Sequence, residues 1–166
     1  LLMRQSQQQQ QHGGGVGGFE LSEDDVRYIV RQVLVALTHL HAMQVIHRDI
    51  KLDNILLDCE KGVKICDFGV SKIIKKGQII QEQCGTPAYL APEIILDKGY
   101  EGFFVDVWSL GVLFYEMATG ISPFESDSKD DVFKKILKKD IKFKGYLTFL
   151  ASDVINKLLT VDVRIK

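Results

Sequence analysis

The stretch Val45-Ile46-His47-Arg48-Asp49-Ile50-Lys51-Leu52-Asp53-Asn54-Ile55-Leu56-Leu57-Asp58-Cys59-Glu60-Lys61-Gly62-Val63-Lys64-Ile65-Cys66-Asp67-Phe68-Gly69 decides how the rest of the chain is read. It holds two short apolar runs, Ile55-Leu56-Leu57 and Val63-Lys64-Ile65-Cys66, with Asp49, Asn54 and Asp67 at their edges. Short apolar runs rich in branched residues predict strands. Carboxylates and an amide beside buried strands are costly to desolvate, so they ask for a purpose. Hard cations such as Mg²⁺ take oxygen ligands, commonly one or two carboxylates plus substrate phosphates, and Asp67 with Asn54 can supply the protein's share. Asp49 is then free to act on a hydroxyl.

The spacing His47-Arg48-Asp49-x-Lys51-x-x-Asn54, followed by Asp67-Phe68-Gly69, resembles the catalytic loop and metal-binding motif of protein kinases. The resemblance implies an α+β fold, mainly α-helical: a protein-kinase-like C-terminal lobe with a few short strands around the catalytic and metal-binding loops. It implies transfer of the γ-phosphate of ATP, with Mg²⁺, to Ser or Thr hydroxyls of protein substrates. Asp49 is expected to orient the substrate hydroxyl and take its proton, and Lys51 to reach the γ-phosphate. Asn54 and Asp67 would hold the metal, and Leu56 would form the apolar floor beneath adenine. His47 resembles the family's packing histidine, set beneath Phe68 and bonded to backbone, and not a base.

Two further segments resemble the same family. Gly85-Thr86-Pro87-Ala88-Tyr89-Leu90-Ala91-Pro92-Glu93 is similar to the end of a kinase activation segment, and Thr86 with Lys51 implies the serine/threonine class. Asp106-Val107-Trp108-Ser109-x-Gly111 is similar to the start of the family's central helix, whose aspartate ties it to the catalytic-loop backbone. Glu93 pairs in the family with a late arginine. Arg164 is the candidate here, but Asp162-Val163-Arg164 is shorter than the usual Asp-Pro-x-x-Arg, which leaves that pair open. The GTPAYLAPE and TGISPF stretches also resemble, more loosely, the calcium/calmodulin-dependent group.

Arg48 beside the catalytic aspartate resembles kinases whose activation segment is ordered by a phosphate. Between Gly69 and Gly85 the sole hydroxyl is that of Ser71, too near the metal motif to serve. Glu82, two residues before Cys84, is expected to stand in for the phosphate against Arg48 and Lys72. The alternative is a solvent-exposed glutamate contributing little.

Helical periodicity accounts for most of what surrounds these motifs. Ser22 and Asp25 predict a capping box, and Val26, Ile29, Val30, Val33, Leu34, Leu37 and Leu40 form an apolar stripe running to about Met43. Phe104 to Thr119 is apolar nearly all round, which predicts a buried central helix. Two amphipathic helices follow, with Ser128 and Ser152 as expected caps. The first turns Val132, Phe133, Ile136 and Leu137 inward, and the second Val154, Ile155, Leu158 and Leu159. Lys129, Lys134, Lys135, Lys138, Lys139, Lys142 and Lys144, interleaved with aspartates, read as a solvated face.

Residues 1–21 are low in complexity, with glutamines from Gln7 to Gln11 and glycines from Gly13 to Gly18, and are expected to be disordered. The glycines satisfy G-x-G-x-x-G, but a phosphate-binding glycine loop follows a strand and this one follows polyglutamine. Residues 22–166 are expected to be the large lobe of a kinase, incomplete at its C-terminal end. The lobe with the glycine loop, strand lysine and helix glutamate is expected to belong to a longer parent chain, as the initial Leu1 also suggests. The chain alone is therefore expected to have negligible activity, and a non-catalytic binding or decoy module is the competing reading.

Composition places few demands of its own. The 166 residues are 46% apolar and 26% charged with a net charge of −1, which implies no general affinity for nucleic acid or membrane. No apolar run approaches the roughly 20 residues that span a bilayer. Three cysteines without paired ligand spacing point to reduced thiols and a cytoplasmic or nuclear setting.

Overall fold

The computed structural model describes residues 21–160 apart from Cys59, Lys61 and Lys76. The glutamine and glycine tracts and Arg164 lie outside the described residues. Among the described residues five α-helices and six short strands follow one another: α1 (Glu23–Ala42), β1 (Val45–Ile46), β2 (Ile55–Asp58), β3 (Gly62–Ile65), β4 (Lys72–Ile73), β5 (Ile79–Ile80), α2 (Pro92–Ile95), β6 (Tyr100–Glu101), α3 (Phe104–Thr119), α4 (Lys129–Lys138) and α5 (Phe149–Leu158). The strands form three separate antiparallel ribbons, β1 with β4, β2 with β3, and β5 with β6.

α1 starts where the sequence predicts. The Ser22 hydroxyl accepts from the Asp25 N–H and the Asp25 carboxylate accepts from the Ser22 N–H, closing the capping box. Its stripe buries Val26, Ile29, Val33 and Leu37 completely, while Leu34 is exposed, so the contact face is narrower than the periodicity suggests. α3 is the central helix: Val105, Trp108, Leu110, Val112, Leu113, Tyr115 and Met117 are all buried. At about 1.5–3 kcal/mol for each large side chain removed from water, this helix carries much of the apolar driving force. Gly111 lets α5 cross it closely, because a Cβ there would lie 2.9 Å from Leu158 Cβ and from Leu159 Cγ. Trp108 stacks on Phe124 with ring centroids 5.9 Å apart.

α4 is capped by Ser128 as expected, and Val132 and Ile136 are buried, though Leu137 is exposed. α5 corrects the sequence reading. Its cap is Thr148, whose hydroxyl accepts from the Ala151 N–H, and not Ser152, which lies inside the helix. The first turn carries Phe149 and Leu150, both exposed, so the inward periodicity that locates a helix start begins one turn late. Val154 is likewise exposed, whereas Ile155 and Leu159 are buried.

The ribbons position the loops. In β2–β3, Ile55 pairs with Ile65 and Leu57 with Val63. One step beyond, the Cys66 N–H donates to the Asn54 carbonyl at 2.9 Å, so Asn54 and Asp67 emerge from the same end of the ribbon. In β1–β4, Ile46 pairs with Lys72, which brings the chain after Gly69 back alongside the entry to His47.

Candidate active site

The loop from His47 to Asn54 is anchored from below by one buried carboxylate. Asp106 Oδ2 accepts the His47 N–H at 3.0 Å and lies 2.8 Å from His41 Nε2, and Oδ1 accepts the Arg48 N–H at 2.8 Å. Arg48 can then take a left-handed backbone, φ 70°, that a non-glycine residue rarely adopts. Asp67, φ 62°, is a second such residue. Strained backbone of this kind concentrates at sites where geometry matters for chemistry.

Asp49 sits at the centre of a compact polar group. Its Oδ1 accepts from the Thr86 N–H at 3.0 Å and the Thr86 hydroxyl at 2.8 Å. Its Oδ2 lies 2.9 Å from Lys51 Nζ and 3.2 Å from Asn54 Nδ2. Lys51 Nζ also donates to Thr86 Oγ1 at 3.0 Å. Burial pushes the Asp49 carboxyl up, but hydrogen bonds from Lys51 and Thr86 outweigh it and hold the group below its ordinary value. Donating to Asp49 raises Lys51 in turn.

Asn54 is buried, and its Nδ2 also donates to the Asp49 carbonyl at 2.8 Å, which orients the amide and leaves Oδ1 as the available ligand atom. Asp67 Oδ1 accepts the Gly69 N–H at 3.2 Å. One amide oxygen and one carboxylate are hard donors that fit Mg²⁺ completed by phosphate oxygens. Among the described residues no group of three or more His, Cys, Asp or Glu side chains forms a self-sufficient metal site. Leu56, two residues after Asn54 on β2, is half exposed.

His47 is fully buried, with Nε2 3.1 Å from the Cys66 carbonyl and its ring edge-on to Phe68, centroids 4.9 Å apart. Both contacts suit the packing position that the resemblance implies. Thr86 is brought to Asp49 by Gly85, whose φ of 112° suits glycine and whose Cβ would stand 2.7 Å from the Arg48 carbonyl. Arg48 Nη1 lies 2.7 Å from Glu82 Oε2, and Lys72 Nζ 2.5 Å from Glu82 Oε1.

Four supporting residues escaped the sequence reading. His41 touches Asp106. The Tyr89 hydroxyl donates to Glu116 and accepts the Leu52 N–H at 3.4 Å, while the Tyr100 hydroxyl donates to the Glu82 carbonyl at 3.0 Å. Burial, then the neighbouring Glu116, pushes the Tyr89 phenol up. None had a local signal, since each partner lies in another element.

Comparison with known proteins decides the family: the protein kinase domain matches residues 8–164, a span that begins inside the glutamine run. The chain belongs to the protein kinase family. This kinase domain is 39% identical over 142 residues to the probable serine/threonine-protein kinase MARK-A of Dictyostelium discoideum, covering 86% of this chain and 13% of that protein. It is 40% identical over 142 residues to the serine/threonine protein kinase OSK3 of Oryza sativa subsp. indica, covering 86% of this chain and 28% of that protein. It is 41% identical over 128 residues to the CBL-interacting serine/threonine-protein kinase 21 of Arabidopsis thaliana, covering 77% of this chain and 31% of that protein. The kinase domain thus spans less than a third of the length of each of these relatives. No helix among its described residues is long and apolar enough to cross a membrane.

Proposed function

We propose that the protein is a serine/threonine protein kinase that moves the γ-phosphoryl group of ATP onto Ser and Thr hydroxyls of protein substrates. The observation that carries this reading is the Asp49 carboxylate bounded by Lys51, Thr86 and Asn54. A carboxylate offers about four acceptor positions, and here Thr86 N–H, Thr86 hydroxyl, Lys51 and Asn54 fill them. A substrate hydroxyl must displace one donor. Lys51 is the one with another place to go, because an arriving γ-phosphate competes for its ammonium. Lys51 then neutralises phosphate charge as Asp49 gains room for the hydroxyl.

The substrate O–H proton passes to Asp49 as its oxygen bonds to the γ-phosphorus, and the bond from that phosphorus to the bridging β,γ oxygen breaks to release ADP. Asn54 and Asp67 would hold Mg²⁺, which would supply positive charge to the phosphate oxygens. Leu56 supplies apolar surface under adenine. Thr86, in bonding both Asp49 and Lys51, keeps the acceptor and the cation in register.

Assaying the full-length protein with radiolabelled ATP, Mg²⁺ and casein tests this. Phosphoserine or phosphothreonine should form, and Asp49→Asn should lower kcat by about 10²- to 10⁴-fold with ATP binding kept. Asp67→Asn should instead abolish Mg²⁺-dependent binding of a fluorescent ATP analogue. Equal turnover in the Asp49→Asn variant would refute the assignment.

A further inference from the structure

We infer that Glu82 is a positioning residue that fixes the catalytic loop through Arg48, so that the loop is ordered by a carboxylate built into the chain and needs no covalent modification. The consequence for turnover rests on the kinase reading; the ordering does not.

Arg48 decides the energetics. Its side chain is only 8% exposed, with Nε donating to the Val70 carbonyl at 2.6 Å and Nη1 to Glu82 at 2.7 Å. Glu82 is 55% exposed, and a pair of two such exposed groups would contribute little. A buried guanidinium changes the balance, because removing its anion leaves an uncompensated charge out of water. The loss falls on Arg48, whose strained backbone immediately precedes Asp49.

Glu82 is also tied on its other sides. Lys72, which takes its second oxygen, belongs to β4, and β4 pairs with β1 at the entry to His47. The Tyr100 hydroxyl holds its peptide carbonyl, and Tyr100 pairs with Ile80 across β5–β6. Glu82 therefore ties the β1–β4 ribbon to the turn that carries the catalytic aspartate through its carboxylate, and meets the β5–β6 ribbon through its peptide carbonyl.

The segment that carries Glu82 offers no free hydroxyl for a phosphate. From Lys72 to Gly85 there is no Ser, Thr or Tyr. The Ser71 hydroxyl donates to the His47 carbonyl at 3.2 Å, and the Thr86 hydroxyl to Asp49. The anion at Arg48 is permanent.

Hydrogen–deuterium exchange on the 166-residue chain tests the inference. Glu82→Gln, nearly isosteric and neutral, should speed exchange about tenfold in residues 46–50 and 79–86 and leave α3 unchanged. Glu82→Asp should recover most of the protection. Unchanged exchange in 46–50 would overturn the inference, as would acceleration in α3 equal to that in the loops, since Glu82 would then be supporting the fold at large. In the full-length protein Glu82→Gln should lower kcat with KM for ATP kept. A wild-type protein without phosphoryl transfer would remove the kinase reading and leave the exchange result standing.

Discussion

The Asp106 carboxylate, wholly buried at the start of α3, receives the peptide N–H groups of both His47 and Arg48, at 3.0 and 2.8 Å. These donors point into the core and find no water there, so the aspartate satisfies groups that would otherwise each cost a desolvation penalty. With His41 as its third contact, the central helix acts as the ruler for the catalytic loop.

Asp106→Asn should therefore be costly although it preserves shape. The amide offers one oxygen where two are needed, and its NH₂ would face a peptide donor. A loss of about 3 kcal/mol is expected in urea denaturation. Asp106→Glu should fare no better, because an added methylene cannot be housed in a filled core.

Thr86 links Asp49 to Lys51, accepting from the lysine and donating to the aspartate. Thr86→Val keeps the volume and removes both bonds. Hydrogen bonds to charged groups contribute roughly 1.5–3 kcal/mol, so kcat of the full-length protein should fall by about tenfold or more. Thr86→Ser keeps the hydroxyl and should stay within a few-fold of wild type. Equal turnover in the Val and Ser variants would show that the hydroxyl is dispensable.

Much of the scaffold was legible in the sequence, and the reasons differ by element. The α1 stripe and the all-round apolar α3 repeat within a few residues, so periodicity alone locates them. α5 was misplaced at its start because Phe149 and Leu150 are exposed and interrupt the pattern. The motif residues Asp49, Asn54 and Asp67 were legible through family resemblance, and the structure groups Asp49 with Asn54, Lys51 and Thr86. His41, Tyr89, Tyr100 and Glu116 were not legible. His41 meets Asp106 across 65 positions, and such a pair exists only after α3 has been laid against α1.

Two glycines with left-handed backbones separate strain from crowding. At Gly120, φ 74°, an added Cβ meets nothing within 4 Å, whereas at Gly85, φ 112°, it meets the Arg48 carbonyl at 2.7 Å. That carbonyl is main chain, and the N–H of its own peptide unit, that of Asp49, is bonded to His47 Nδ1 at 3.3 Å, so it yields less readily than a side chain. Gly120→Ala should cost about 1 kcal/mol, the backbone contribution alone, and Gly85→Ala about 2–3 kcal/mol in the same urea denaturation. Equal losses would mean that the segment at Gly85 yields freely.

The Glu82 pair also predicts a pH window. Hydrogen bonding by Lys72, then by Arg48, holds the Glu82 carboxyl at about 2 against an ordinary 4.5. The other titratable groups nearby are Tyr100 and Cys84, both pushed up by burial and neutral throughout acid conditions. A carboxyl lowered by folding favours the fold when ionised. Its contribution is complete above its ordinary value of 4.5 and drains away as pH falls toward 2. Wild type should thus exceed Glu82→Gln in thermal midpoint by a constant gap near neutral pH, and the gap should narrow steadily as pH drops to about 3. Because Glu82 is exposed, salt should narrow it too. A gap that persists unchanged into acid would mean that the Gln variant loses packing and not charge.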